Sequence, residues 1–391
     1  MDFSLMREFM DRLCAWRVPG NCVSVHIDNK QVFSYTSGYE DLENKIRMSG
    51  NKLFNMYSAT KPVTATAGLQ LYEKGYFLLD DPVYDFIPEF KTMFIKDSDG
   101  NIREAKNTIT MRDLFAMTSG ISYDVGSPNI EEARRVTNGR MDTLTVAKYI
   151  AKNPLLFEPG TGWEYGLNHD VLGAVIEVIT GKKFRDYVKE NIFEPLEMND
   201  SYFHCDDIID RVAKQYRYHN SDETDLVKLQ MHSDNTKEGW IEHIDNHPYL
   251  TLGPEFDSGG AGITCSVSDY SKFATALANG GVGKNGERII SSGTIDLMRT
   301  NHLNEKQMAD LSYPQHRGYG YGLGVRTMVD RVKSGSNGSY GEFGWGGAAG
   351  AFVFIDPDRR LSLFYAQHML NPHEEYFAPR IRNVLYTCLD R

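Results

Sequence analysis

The sequence lacks the features that mark several large functional classes. It holds only five cysteines in 391 residues, at Cys14, Cys22, Cys205, Cys265 and Cys388, with no C-x-x-C pair. Scattered thiols in odd number argue against a disulfide framework and suit buried positions in a reducing compartment. No apolar run reaches the roughly 18 residues that a membrane-spanning helix needs. From Met1 to Val18 the chain interleaves Asp2, Arg7, Glu8, Asp11 and Arg12 with apolar residues. A signal peptide needs an unbroken apolar stretch of roughly 7–15 residues, so this segment reads as an amphipathic helix. Taken as a complete chain, the sequence predicts a cytoplasmic protein without a membrane partner. Basic runs are also missing and the formal net charge is −11, which disfavours binding to a phosphate backbone. There is no G-x-S-x-G elbow, no H-E-x-x-H, no P-loop and no dinucleotide fingerprint, since the glycines from Gly318 to Gly324 alternate without G-x-G-x-x-G spacing. His243 and His247 lie four apart, but in a loop-like stretch before Pro248, and read as surface or core histidines. No metal or cofactor is expected.

What is present suits a soluble globular chain: 41% hydrophobic and 24% charged residues. Residues Cys22–Asp28 and Gln31–Thr36 alternate around Asp28-Asn29-Lys30, the pattern of a β-hairpin. Helical signals dominate from Ser58 to about Asn279. They include a capping box at Thr110–Asp113, a helix over Asp170–Thr180 stopped by Gly181, and another over Asp269–Asn279. Strand signals return at Tyr319–Thr327, Gly350–Ile355 and Leu361–Gln367, and a helix over Glu374–Leu389 closes the chain. Segment 204–258 shows little periodicity and predicts loops. Strands at both ends with helices between predict an α+β fold: one antiparallel sheet built from both termini, flanked by helices, with a mostly helical lobe inserted. The lobes would be approximately 1–57 with 285–391, and 58–284, in one domain.

Three motifs carry chemistry. Ser58-Ala59-Thr60-Lys61 opens a helix, with Pro62 in its first turn. Residues i and i+3 share a helix face, so the Lys61 amine can take the proton that makes the Ser58 hydroxyl nucleophilic. Alone, the pattern is common enough to arise by chance. Trp163-Glu164-Tyr165 sits in a turn before the Asp170 helix, where a phenol could assist proton transfer or simply be a buried ring. Gly344-Trp345-Gly346-Gly347-Ala348 precedes strand-like Ala351–Phe354, and its glycines would let a substrate approach the backbone.

In order and spacing, Ser58-x-x-Lys61, Tyr165 and Trp345-Gly346-Gly347 resemble the motifs of the serine β-lactamase and penicillin-binding-protein superfamily. The class C-like branch, and within it the family VIII carboxylesterases, is the most similar. Leu114–Gly120, Glu164–Gly166 with Asp170–Gly173, Gly259–Gly262 and Gly320–Gly324 look like further segments of that pattern. The resemblance implies a β-lactamase/transpeptidase-like fold and a serine hydrolase. Ser58 would be acylated, Lys61 would act as base and Tyr165 would share proton transfer. The N–H groups of Ser58 and Ala348 would form the oxyanion hole, and Trp345, Gly346 and Gly347 would line the substrate pocket. Three positions depart from the pattern. Leu167 stands where β-lactamases have asparagine, with Asn168 one residue on; Trp345 replaces the lysine of K-T-G; Met117 replaces a histidine. Losing an ammonium and an amide weakens recognition of β-lactam carboxylates and favours a neutral short-chain or aromatic ester. The alternatives are a β-lactamase, D-amino-acid peptidase or acyltransferase of the same chemistry, and a catalytically weak binding protein. The partner is a small-molecule ester or amide; the oligomeric state is not legible.

Overall fold

The protein is described by a computed structural model that covers residues 1–97, 99–220, 239–248 and 251–391. Its main sheet joins the two ends of the chain. Strands β1 (Gly20–Ile27), β2 (Lys30–Asp41) and β3 (Ile46–Arg47) come from the N-terminal part. Strands β4 (Tyr319–Tyr321), β5 (Arg326–Met328), β6 (Phe343–Gly344), β7 (Phe352–Asp356) and β8 (Leu361–Gln367) come from the C-terminal part. Among the described residues the order is β4-β5-β6-β7-β8-β1-β2-β3, antiparallel throughout. The seam is the β1/β8 ladder, where Val23 faces Tyr365 and Val25 faces Leu363. The β1–β2 turn places Asp28 at φ 51° and Asn29 at φ 59°, the left-handed backbone that short hairpin turns need and that Asp and Asn tolerate.

Both faces of this sheet are covered. On one, the Ser4–Trp16 helix buries Met6, Phe9, Met10 and Leu13, a stripe at helical spacing, beside Phe377, Ile381 and Leu385 of the Glu374–Leu389 helix. The Val267–Ala278 helix covers the other face against β1, β7 and β8. A strand buried on both sides loses its alternation, and all seven residues of β8 are buried.

Several expectations hold in detail. The capping box at Thr110 forms, its side chain accepting from the Asp113 N–H, which stabilises such a helix start by about 1 kcal/mol. The Asn168–Thr180 helix ends at Gly181. Others need correction. The Tyr319–Thr327 segment is two strands, not one. Gly324 at φ 82° turns the chain back and the Gly322 N–H donates to the Val325 carbonyl. Segment 204–258 is not all loop: Gln215–Asn220 and Gly239–Ile244 pair antiparallel, with Met369–Leu370 alongside. The strand signal was the alternation of buried Tyr216 and Tyr218 with polar neighbours, hidden by the polar composition around it. The rest of that expectation, at 221–238 and 249–250, lies outside the described residues. His243 is therefore on a strand, its ring 5.7 Å from that of Tyr216, while His247 bonds Asp245. Among the described residues no group of three or more His, Cys, Asp or Glu could hold a metal, and no helix is long and apolar enough to cross a membrane.

Short strands also interrupt the helical middle of the chain. Leu53–Asn55, Thr264–Ser266 and Ser201–Tyr202 form a small sheet in which Asn55 faces Thr264. This pairing sets the residues after Asn55 beside the residues before Thr264, and the site is built there.

Candidate active site

Ser58 leaves that small sheet in a tight turn. Tyr57 lies at φ 46°, a left-handed conformation that costs a bulky residue of order 1 kcal/mol and must be held from outside. Its side chain is fully buried and its hydroxyl donates to Gln215 Oε1 at 2.7 Å. Tyr57–Thr60 form one 3-10 turn, and the α-helix proper runs from Lys61 to Glu73 with Pro62 at its start. Ser58 is thus on the turn that feeds the helix, and Lys61 is the first helical residue.

Lys61 is wholly buried. Its Nζ donates to Ser58 Oγ at 3.2 Å and to the Gly260 carbonyl at 2.8 Å, and lies 4.5 Å from the centre of the Tyr165 ring. Burial lowers its pKa to about 7, with the nearby Asp170 charge opposing the shift. The Gly260 carbonyl is itself held from behind. Asp170, buried at the start of the Asn168–Thr180 helix, accepts from Ser258 Oγ at 2.6 Å and from the Gly260 N–H at 3.2 Å. Burial pushes the Asp170 carboxyl upward, while these donors and Lys61 pull it down.

Tyr165, of the second motif, packs against the third. Its ring stacks on Tyr123 at 5.5 Å and on Trp345 at 5.7 Å, and its hydroxyl accepts from Trp345 Nε1 at 3.3 Å. Burial raises its pKa, and hydrogen bonding with Ser58 acts in the opposite direction. The third motif runs along the open side. Gly346 bridges to Phe352, and residues 347–350 form a turn closed by a Gly350 N–H to Gly347 carbonyl bond. Glycine is needed at 347 because a Cβ would stand 2.1 Å from the Met56 carbonyl; at 346 a Cβ would stand 2.6 Å from a Glu374 carboxylate oxygen, so that side chain would have to shift. Ser58, Tyr165, Trp345, Gly346, Gly347 and Ala348 thereby line one cavity of about 130 Å³. The structure brings every sequence-predicted site residue together at this cavity, with Lys61 directly behind Ser58.

These features, and their order along the chain, are those of one known family. Residues 4–386 match the model of the beta-lactamase family. The chain belongs to the beta-lactamase family. This beta-lactamase-family chain is 30% identical over 340 residues to Protein Rv1367c of Mycobacterium tuberculosis, covering 84% of this chain and 80% of that protein. It is 28% identical to Esterase EstB of Burkholderia gladioli, over 89% of this chain and 85% of that one. Among solved structures, EstCE1, a hydrolase with promiscuous acyltransferase activity, superposes with a TM-score of 0.77 at 22% identity, covering 98% of each chain.

The departures from the family pattern have visible consequences. Asn168 does not face the cavity. It is fully buried, accepts a short hydrogen bond from Ser119 Oγ, and donates to the Met117 sulfur at 3.1 Å. Met117 caps its helix at φ 61° and packs with Trp163, Tyr321 and Trp345, so it supports the aromatic wall from behind. Leu167 lies in the core. Sequence reasoning gave no role to His316 or Glu374, which also line the cavity, or to His169, wholly buried near Lys61 with neither ring nitrogen bonded. None of the three sits in a motif; only the fold assembles them.

Proposed function

We propose that the protein is a serine hydrolase that forms an acyl-enzyme on Ser58, most suited to short-chain or aromatic esters. The observation that carries this reading is the Ser58–Lys61 pair. A buried amine with its pKa near 7 lies 3.2 Å from the hydroxyl it must deprotonate. Ser58 Oγ attacks the substrate carbonyl carbon as its proton passes to neutral Lys61 Nζ. The N–H groups of Ser58 and Ala348 receive the oxyanion. The tetrahedral intermediate collapses, the alcohol leaves with a proton relayed through Tyr165, and water repeats the sequence on the acyl-enzyme. The upward push on the Tyr165 pKa favours a phenol that relays over a standing phenolate. We take the chain as a single domain of two lobes, approximately 1–57 with 285–391 and 58–284, with this site at their boundary.

Esters are favoured over β-lactams because Trp345 occupies the position of the carboxylate-pairing lysine, and Asn168 is spent on Ser119 and Met117. A second reading, acyl transfer to an acceptor alcohol through the same acyl-enzyme, is supported by 28% identity to Acyltransferase calJ of Penicillium decumbens over 86% of this chain. Incubation with a p-nitrophenyl ester series and with a chromogenic cephalosporin, followed by mass spectrometry, tests the assignment. An acyl adduct on Ser58 and ester turnover exceeding cephalosporin turnover are expected. Turnover that survives Ser58→Ala would overturn the mechanism, and absence of both adduct and turnover would favour a binding protein.

A further inference from the structure

Beyond Ser58 the cavity has a chemical character of its own. Its charged lining residues are Glu374 and Glu375; among the described residues no lysine or arginine lines it. Glu374 is the first residue of the C-terminal helix, and its carboxylate stands behind Gly346, whose missing side chain makes room for it. No donor among the described residues reaches that carboxylate. Burial raises its pKa to about 7, with Arg326 and Arg382 pulling it down. Those two guanidinium groups are engaged elsewhere, with Glu342 at 3.4 Å and 3.8 Å, and Tyr319 donates to the same Glu342.

The neighbouring polar atoms are also unmet. His316 is 4% exposed, its ring lies 4.9 Å from Trp345 and 5.6 Å from Tyr313, and neither of its nitrogens has a partner. Burial, with Arg326 and Arg382 nearby, lowers its pKa and keeps the imidazole neutral. Gln315 and His373 line the same cavity, and their buried Oε1 and Nε2 atoms have no partner among the described residues. The acceptors among them are the Glu374 carboxylate and the Gln315 amide oxygen, while the neutral His316 ring offers one donor and one acceptor. Buried acceptors without donors are costly, and a ligand that brings N–H donors and positive charge relieves that cost. Aromatic walls favour the same ligand, because an ammonium is attracted to the faces of Trp and Tyr rings.

We propose that this cavity receives an amine-bearing substrate, its ammonium group seated against Glu374 between Trp345, Tyr313 and His316. The proposal rests on the acyl-enzyme reading, since it names the substrate class of that same site. Two isosteric pairs test it on the full chain at pH 8. On the acyl side, the p-nitrophenyl ester of 4-(dimethylamino)butyrate is compared with that of 5-methylhexanoate. On the leaving-group side, S-acetyl 2-(dimethylamino)ethanethiol is compared with S-acetyl 3-methylbutanethiol. We expect kcat/KM to favour the cationic member about tenfold in one pair, and Glu374→Gln to bring that ratio close to one. A ratio at or below one in both pairs, with turnover that requires Ser58, overturns the proposal and leaves the acyl-enzyme reading standing. A preference unchanged by Glu374→Gln also overturns it. Should Glu374→Gln fail to fold, competitive inhibition of the unmodified protein decides. Dimethylethylamine, protonated at this pH, should inhibit hydrolysis of the neutral ester at least tenfold more strongly than 3-methylbutanol, an uncharged molecule one heavy atom larger; equal inhibition counts against the proposal. Loss of Ser58 dependence is the separate outcome that removes the reading beneath it.

Discussion

Behind Ser58 most polar groups are matched to partners, the His169 ring being the exception; in front of it several are not. Lys61 donates to Ser58 and Gly260, Asp170 accepts from Ser258 and Gly260, and Asn168 is bonded to Ser119 and Met117. Across the cavity, His316, Gln315 and His373 carry buried atoms without partners among the described residues, and no hydrogen bond from a described donor reaches the Glu374 carboxylate. A saturated network fixes geometry, which catalysis needs before substrate arrives. An unsaturated wall is costly in the empty protein and gains its partners from a ligand. Under the proposed reading the two halves answer different questions: the rear would set the reaction and the front the substrate.

This division makes mutations separable. The largest effect is expected from Ser58→Ala, which should reduce ester kcat/KM on the order of 10^4-fold or more, read by p-nitrophenol release. Lys61→Met should cost nearly as much activity, yet it should not destabilise the fold by a similar measure, because it removes an amine that burial penalises. Thermal denaturation checks the second half; a large loss of melting temperature would show Lys61 to be structurally indispensable and weaken the contrast. The pH profile follows from the same residue. The reactive form of Lys61 is neutral, so kcat/KM for a neutral ester should rise with pH through about 7 and level off above. Stability has the same sign. Between about pH 7 and the usual lysine value of 10.5 the folded protein binds fewer protons at Lys61 than the unfolded chain, so its contribution to stability improves as pH rises. The Lys61→Met variant should lack both dependences.

Smaller effects are expected further from the pair. Tyr165→Phe should lower kcat by about 10^2-fold through loss of the proton relay, with the stacked rings retained. Gly346→Ala places a methyl on the Glu374 carboxylate and should raise KM about tenfold, more than it lowers kcat. Trp345→Phe keeps the aromatic wall but removes the N–H donated to Tyr165. A loss of severalfold, the value of one hydrogen bond of about 1 kcal/mol, is expected in kcat. An effect of Trp345→Phe as large as that of Tyr165→Phe would merge the two regions into one.

Much of this was legible in the chain because the signals were local. The hairpin at Asp28-Asn29 follows from two residues that tolerate left-handed backbone, and the Thr110 cap from a four-residue pattern. Ser58 and Lys61 share a helix start, so their spacing alone brings them within reach. The ordered motifs and the resemblance they carry pointed to Tyr165 and the glycines of 346–347. What the sequence could not determine depends on long-range packing. The depressed pKa of Lys61 comes from burial under elements more than a hundred residues away, and the Gly260 carbonyl reaches it only because Thr264–Ser266 pairs with Leu53–Asn55. Asn168 was one residue from a catalytic register, and only the fold turned it toward Ser119 and Met117. Glu374 is an ordinary acidic residue at a helix start until the sheet sets Gly346 in front of it. Spacing in sequence decides which neighbours along one turn can react; desolvation and the pairing of distant strands decide what those groups become.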